Sequence, residues 1–333
     1  MDPGQIKNQL FSINNEDSFI RISLEVFNYQ AKHNAVYREY IERLHIKPDN
    51  VLQLNQIPFL PVEFFKTHKV STTVNEIEIQ FESSGTTSSV QSKHYVHSLN
   101  LYEQSFINAF RKFYGAPEEY VFLALLPSYL ERSGSSLVYM ADKLIGLSKK
   151  SDSGFYLHNL NELLKKITEL EKAGQKYILL GVTYALLDLA EEAAKLKLPA
   201  LKHATVMETG GMKGKRKELV KEELHAILKK SFGISTVHSE YGMTELLSQA
   251  YSKGDGLFSC PPWMRILIRD TNDPFRFVDQ HKTGGINIID LANIYSCSFI
   301  ATQDLGKLHS QNIFEVLGRF DNSDLRGCNL LLG

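Results

Sequence analysis

The sequence is poor in the features that define several protein classes. Its three cysteines, Cys260, Cys297 and Cys328, are too few and too scattered for a disulfide framework or a zinc site. No apolar run approaches the length of a bilayer-spanning helix, and residues 1–5 lack the basic and apolar regions of a signal peptide. These absences favour a reduced, cytoplasmic setting and no membrane span.

Net charge is also nearly absent, at −1 over 333 residues. Such a balanced chain has no overall field that would recruit nucleic acid or an anionic membrane surface. The eleven histidines show no metal-ligand spacing, and there is no internal repeat or low-complexity linker. The hydrophobic content of 43% is ordinary for a globular protein of this size, which can bury a large core.

What the sequence does contain is an alternation of short apolar strands with amphipathic helices. Strands are predicted at Tyr120–Leu126, Tyr177–Gly181, Ala204–Met207 and Ile234–His238. Helices are predicted at about 133–146, 158–173, 183–195 and 215–231. This alternation predicts an α/β fold with a mainly parallel sheet and helices on its faces.

The two ends of the chain have different patterns. Residues 5–45 have helical spacing, and a strand through Phe81 is followed by a return strand near Lys93 and a helix capped by Ser98. From about Trp263 the pattern changes to short strands, predicted at Arg265–Arg269, Gly285–Asp290, Tyr295–Ala301 and Ile313–Leu317. A smaller β-rich part is therefore expected to close over the site.

A hydroxyl-rich loop follows the strand through Phe81, with the sequence Ser83-Ser84-Gly85-Thr86-Thr87-Ser88-Ser89 and then Lys93. Small side chains and free backbone N–H groups suit an anion such as a phosphate. The loop differs from the P-loop of kinases because no Gly-Lys-Ser/Thr ends it. On its own, a polar hairpin turn is the more frequent reading of such a cluster.

A second segment, Tyr241-Gly242-Met243-Thr244-Glu245, follows the predicted strand Ile234–His238. Ligands bind at the carboxyl ends of strands in open α/β sheets. There the Thr244 hydroxyl can donate to a phosphate, the Glu245 carboxylate can ligate magnesium, and the Tyr241 ring can stack on a base. The alternative is a solvated first turn of a helix. Similarly, His94 and His238 are either buried structural histidines or lining residues of a pocket.

Together these segments resemble those of the adenylate-forming enzymes, which activate carboxylic acids as acyl-AMP. The resemblance implies that Ser83, Ser84, Gly85, Thr86, Thr87 and Lys93 bind the ATP phosphates. It implies that Thr244 contacts the α-phosphate, that Glu245 holds Mg²⁺, and that Tyr241-Gly242 and Gly210-Gly211 line the nucleotide and acyl pockets. Asp304 would then accept from the ribose hydroxyls and Arg319 would reach the nucleotide. Ser88 departs from the family, which has glycine there.

A narrower resemblance, to the LuxE-type acyl-protein synthetases, comes from the Pro58–Lys66 stretch and the Asp324-x-Arg-Gly-Cys ending. It implies one catalytic domain at 1–317 and a tail at 318–333 that carries Cys328 as the acyl acceptor. The lysine-bearing lid domain of the full-length ligases would be absent. A partner acyl reductase would then receive the acyl group from this thioester.

Two other functions remain open at this stage. In an acyl- or aryl-CoA ligase-like enzyme, CoA would accept the acyl group in place of Cys328. A non-catalytic nucleotide-binding subunit would bind ATP without releasing pyrophosphate. The acid itself, fatty or aryl, cannot be read from the aromatic content of 11%.

Overall fold

The structure is a computed structural model. It describes residues 3–72, 76–83, 90–126, 134–157, 159–210 and 219–320.

The chain begins with three helices, α1 (Pro3–Leu10), α2 (Glu16–His33) and α3 (Ala35–Arg43). The sequence predicts helix throughout 5–45, and two asparagines explain the interruptions. The side chain of Asn15 accepts from Ser18 N at the start of α2, and that of Asn34 accepts from Tyr37 N at the start of α3. Asparagine is favoured at such N-cap positions because its side chain satisfies a free backbone N–H. The connector that follows forms the short strand β1 (Leu60–Pro61) and the short helix α4 (Phe64–Thr67).

A two-stranded hairpin carries the hydroxyl-rich loop. Strands β2 (Ile79–Glu82) and β3 (Lys93–Val96) pair antiparallel, with Phe81 opposite His94. The predicted return strand is therefore confirmed. Helix α5 (Leu99–Tyr114) follows, and the Ser98 hydroxyl accepts from Leu101 N as the predicted cap.

The middle of the chain builds a parallel sheet covered by helices. Strands β5, β4, β6, β7 and β8 lie side by side in that order. The two central strands β4 and β6 are buried at every residue, as expected when helices cover both faces. The elements are β4 (Val121–Leu125), α6 (Ser136–Ser148), β5 (Gly154–Phe155), α7 (Leu160–Ala173), β6 (Tyr177–Gly181), α8 (Thr183–Lys195), β7 (Ala204–Glu208), α9 (Lys221–Phe232) and β8 (His238–Tyr241).

The C-terminal strands continue this sheet with antiparallel pairing. The order runs β8, β9, β10, β14, β13, β12, β11, and β1 pairs parallel with β13. The predicted β-rich part is thus present, but it extends the central sheet. The strands are β9 (Ala250–Ser252), β10 (Leu257–Ser259), β11 (Met264–Arg269), β12 (Thr283–Asp290), β13 (Phe299–Ser310) and β14 (Ile313–Arg319).

The predicted strand at Ile234–His238 is wrong in its position. Gly233, with φ of +62°, ends α9 in the left-handed conformation, and Ile234 N still bonds Lys229 O. These residues therefore complete the end of the helix. Strand β8 begins at His238 and includes Tyr241 as its last residue.

Candidate active site

The base of the hydroxyl-rich loop is closed by two serines. Ser83 N donates to Ser92 O at 3.0 Å, and Ser92 N donates to the Ser83 hydroxyl at 2.9 Å. Lys93 begins β3 immediately afterwards, with an exposed side chain. This arrangement fixes where the loop leaves and re-enters the hairpin. The predicted residues Ser84, Gly85, Thr86 and Thr87 lie outside the described residues.

Thr244 and Glu245 lie in a turn directly beyond the end of β8, so the alternative of a helix start is wrong. Thr244 is half-buried and Glu245 is buried, at 5% exposure. Burial raises the pKa of the Glu245 carboxyl, while a hydrogen bond from the Ser92 side chain and the charge of Arg319 oppose the rise. The Ser92 contact brings the base of the hydroxyl-rich loop against Glu245, as the predicted site requires.

Tyr241 and Asp304 form the next part of the site. The Tyr241 hydroxyl donates to Asp304 Oδ2 at 2.7 Å. Arg319 is paired with Asp304 across β13 and β14, and its Nε lies 3.4 Å from Asp304 Oδ1. Burial raises the pKa of Asp304, and the Tyr241 hydrogen bond and Arg319 oppose that rise. Three residues predicted from separate segments therefore converge.

The glycine turn after β7 is anchored by a buried carboxylate. Gly210 has a φ of +71°, which favours glycine, and its N–H donates to Glu208 Oε2 at 2.6 Å. Lys221 Nζ lies 3.5 Å from Glu208 Oε1, and His225 Nε2 lies 3.7 Å from the same oxygen. Burial raises the pKa of Glu208, but His225, Lys221, the Ser239 side chain and the Gly210 N–H together outweigh it and bring the pKa to about 2. Gly211 lies outside the described residues.

Comparisons with known proteins bear on this arrangement. Residues 10–118 match the family described as acyl-protein synthetase, LuxE. A long-chain-fatty-acid–luciferin-component ligase from Photorhabdus luminescens is 37% identical over 67 residues, which is 20% of this chain and 57% of that protein. The resemblance to the LuxE-type family is confirmed. The aligned part thus spans little more than half the length of the curated relative.

Solved structures identify the fold. A 2-hydroxyisobutyryl-CoA ligase in complex with 2-HIB-AMP has a TM-score of 0.70 at 14% identity, covering 92% of this chain and 68% of its own. ATP-bound MatB from Rhodopseudomonas palustris has a TM-score of 0.54 at 15% identity, covering 74% and 49%. The α/β fold of this chain is therefore that of these ligases, which are adenylate-forming enzymes, and the predicted fold class is confirmed.

Not every predicted residue can be placed. Cys328 lies outside the described residues, as do Gly211 and most of the hydroxyl-rich loop. Within the described ranges no helix is long and apolar enough to cross a bilayer. Among the same residues no group of three or more His, Cys, Asp or Glu side chains is arranged to hold a metal ion.

Sequence reasoning missed several residues that support the site. Ser92 precedes the predicted Lys93 and contacts Glu245. The His94 ring contacts the Thr244 carbonyl oxygen, and the Asn293 amide donates to the Glu245 carbonyl oxygen. His94 was at least recognisable as a histidine beside the loop and proves to be buried, at 1% exposure. No local signal marks Asn293, because its partners come from a distant part of the chain.

Proposed function

We propose that this chain uses ATP to activate a carboxylic acid as acyl-AMP and then forms a thioester on a cysteine thiol. The acid's carboxylate oxygen would attack the α-phosphorus, and pyrophosphate would leave. A thiolate would then attack the acyl carbon, and AMP would leave. A thiolate is a strong nucleophile for such an acyl group.

The observation that carries this proposal is that three segments distant in sequence meet: the base of the hydroxyl-rich loop, the Thr244–Glu245 turn, and the paired strands β13 and β14. Ser92, at the base of the hydroxyl-rich loop, contacts Glu245. The charges of Arg319 and Asp304 also act on the Glu245 carboxyl, the first lowering its pKa and the second raising it. Asp304 in turn is held by Tyr241. This arrangement supports a site in which Thr244 donates to a phosphate, Glu245 accepts a cation and Asp304 accepts from a ribose diol.

The described residues fit a nucleotide with magnesium. Mg²⁺ is commonly bound by one or two carboxylates together with phosphate oxygens and water, and Glu245 supplies one carboxylate at the turn. A bound cation would lower the pKa of Glu245, which burial otherwise raises. Mg²⁺ would neutralise phosphate charge, while Thr244 would donate to the α-phosphate and Asp304 would accept from the ribose.

Cys328 is the proposed acyl acceptor, and a fatty acid is the proposed substrate. The LuxE-type resemblance and the name of the Photorhabdus relative support both choices. A partner acyl reductase would take the acyl group from the thioester. Because Cys328 must remain a free thiol, a reducing cytoplasmic compartment is part of the proposal.

The test uses purified protein, Mg²⁺, ATP and radiolabelled short-chain, long-chain and aryl acids. We expect hydroxylamine-labile label on the wild-type protein and none on Cys328→Ser. The matched control is Cys297→Ser, which removes the buried thiol that precedes β13 and should keep the label. Label that survives Cys328→Ser would contradict the acceptor assignment, and absence of acid-dependent pyrophosphate exchange would contradict the activation step.

A CoA-ligase activity is the second candidate, because the 2-hydroxyisobutyryl-CoA ligase shares the fold over 92% of this chain. It predicts acyl-CoA formation that is unchanged in Cys328→Ser. The same labelled acids with added CoA, followed by chromatography of the products, distinguish the two acceptors.

A further inference from the structure

His94 lies next to the candidate active site and contacts the backbone of Thr244. It follows Lys93 on β3 and is almost fully buried. Its Nδ1 lies 2.8 Å from the Thr244 carbonyl oxygen. Its Nε2 lies 3.0 Å from Asn293 Oδ1, and Asn293 Nδ2 donates to the Glu245 carbonyl oxygen at 2.7 Å. Both adjacent carbonyls of the Thr244–Glu245 turn are therefore held by side chains from other parts of the chain.

This support matters because the turn lies outside the regular strands. The carboxylate of Asp290 accepts from two backbone N–H groups that follow the turn, those of Leu247 at 2.7 Å and Ser248 at 3.0 Å. Asp290 caps the start of the short helical turn Leu291–Asn293, and Asn293 is the last residue of that turn. The segment 244–248 is thus fixed by β3 on one side and by the 290–293 turn on the other.

Both ring nitrogens of His94 face oxygen atoms, which restricts the hydrogen bonds that the ring can make. The Thr244 carbonyl oxygen and the Asn293 amide oxygen can both only accept, so the neutral ring can donate to one of them; we assign the hydrogen to Nδ1, whose partner is the nearer, at 2.8 Å against 3.0 Å. Burial lowers the pKa of His94 to about 4, although the contacts with Thr244 and Asn293 oppose that shift. The neutral ring is therefore the Nδ1–H tautomer, and the Nδ1–H bond to Thr244 is its principal hydrogen bond. The Nε2 contact with Asn293 Oδ1 would become a full hydrogen bond only on protonation of the ring.

We infer that His94 and Asn293 are positioning residues that orient the Thr244 hydroxyl and the Glu245 carboxylate toward the nucleotide and its magnesium. This inference rests on the proposed function, because it assumes that those two groups act on the α-phosphate and on Mg²⁺. Neither His94 nor Asn293 needs to touch the nucleotide. Loss of the Nδ1–H bond would let the turn rotate and weaken both interactions together.

Three substitutions separate positioning from simple packing. His94→Leu removes the donor and keeps an apolar side chain of similar reach. His94→Asn places an amide N–H near the position of Nδ1 and should restore the bond to Thr244. His97→Gln is the matched control, because His97 is near the end of the same hairpin but contacts Ser71 and the Glu76 carbonyl oxygen.

The experiment measures MgATP binding by calorimetry at limiting and saturating Mg²⁺, with thermal unfolding of each variant. We expect His94→Leu to weaken MgATP binding about tenfold or more, a change in binding free energy on the scale of one lost hydrogen bond. This variant should also require a higher Mg²⁺ concentration to reach its full affinity. His94→Asn should recover most of the affinity, and His97→Gln should bind like the wild type. Ring-nitrogen NMR of the wild type should show the Nδ1–H tautomer.

Each failure has its own signature. Wild-type affinity and Mg²⁺ dependence in His94→Leu would overturn the positioning role while leaving the proposed function intact. The positioning role would also be overturned if the MgATP affinities of His94→Leu and His94→Asn simply followed their unfolding temperatures. If the wild-type protein bound no MgATP, the proposed function would fail and this inference with it. An Nε2–H tautomer would overturn the assigned hydrogen bond independently of any ligand.

Discussion

Glu240 is a buried carboxyl group for which the proposed chemistry has no use. It is 8% exposed on β8, and burial, followed by the charge of Glu208, raises its pKa to about 8. No cation or hydrogen-bond donor in the described residues contributes an opposing shift. The folded protein therefore holds a proton here that the unfolded chain releases near pH 4.5, so this group's contribution to stability is lost as the pH rises to 8.

Replacing this carboxyl with a neutral amide should therefore stabilise the protein at alkaline pH. We expect Glu240→Gln to raise the unfolding temperature at pH 8.5 and to have a much smaller effect at pH 5, measured by calorimetry. Glu315→Gln is the opposing control, because His309 and Lys307 lower the pKa of that carboxyl and its removal should destabilise. A shift for Glu240→Gln that is equal at both pH values would contradict this account.

Asp304 allows a second prediction at the residue scale. If its carboxylate accepts from the ribose, Asp304→Asn should weaken MgATP binding by about tenfold, since hydrogen bonds to charged groups contribute ~1.5–3 kcal/mol. Calorimetric titration measures this directly. Asp279→Asn, which alters an exposed carboxylate paired with Lys282, should bind normally. Unchanged affinity in Asp304→Asn would remove Asp304 from the ribose site.

At the scale of single elements, the start of α5 gives a prediction about stability. The Ser98 hydroxyl accepts from Leu101 N at 3.3 Å, and the helix buries large side chains such as Phe106 and Phe110. Ser98→Ala should lower the free energy of unfolding by about 1 kcal/mol, the usual cost of an N-cap. Ser98→Asp keeps a side-chain acceptor, so its free energy of unfolding should fall much less. Urea unfolding measures this difference in free energy, provided that the denaturant slope is unchanged. Equal decreases in the free energy of unfolding of both variants would rule out a contribution of the Ser98 cap.

The elements that sequence predicts well are those that local chemistry determines. Helix α8 was predicted at 183–195 and spans Thr183–Lys195, because its apolar positions keep helical spacing. The strand predicted from Tyr295 begins only at Phe299. Ser296 N instead bonds Asn293 O in a turn, and Ser298 N bonds the side chain of Gln30 on α2, so tertiary contacts replace the strand pairing there.

The same limit applies to the candidate site. Its phosphate-side and ribose-side residues lie in recognisable short segments, so sequence identified Glu245 and Asp304. The contact of His94 with Thr244 joins residues that are 150 positions apart. Such a pair has no spacing rule in a single sequence. The residues that we propose to contact the ligand were therefore predictable, whereas the contacts made behind them, such as that of His94, were not.

At the scale of the whole molecule, the N-terminal helices are tied to the C-terminal strands. The Gln30 amide donates to the carbonyl oxygens of Asn293 and Ile294, and its oxygen accepts from Ser298 N. Arg265 on β11 makes a bidentate ion pair with Glu16 on α2, at 2.6 and 2.7 Å. Because the sheet also runs without a break from its parallel to its antiparallel part, we expect the described elements to unfold together.

Trp263, the single tryptophan of the sequence, tests this cooperativity. Its ring packs edge-on against the ring of Phe11, with the ring centroids 4.8 Å apart. Its Nε1–H donates to the hydroxyls of Ser105 and Ser248. It therefore reports on contacts among the turn that follows α1, helix α5 and the segment after the Thr244–Glu245 turn. Trp263 fluorescence and far-ultraviolet circular dichroism should give coincident urea transitions, the expected behaviour of one cooperative unit.

A control keeps the tryptophan signal interpretable. Phe11→Leu should change the fluorescence of the folded protein and lower the transition midpoint, but the two probes should still coincide. If fluorescence instead changed well before or after the circular dichroism, the part beginning near Trp263 would unfold separately. That result would favour a distinct β-rich subdomain, despite the continuous sheet and the contacts of Gln30 and Arg265 that argue for one unit.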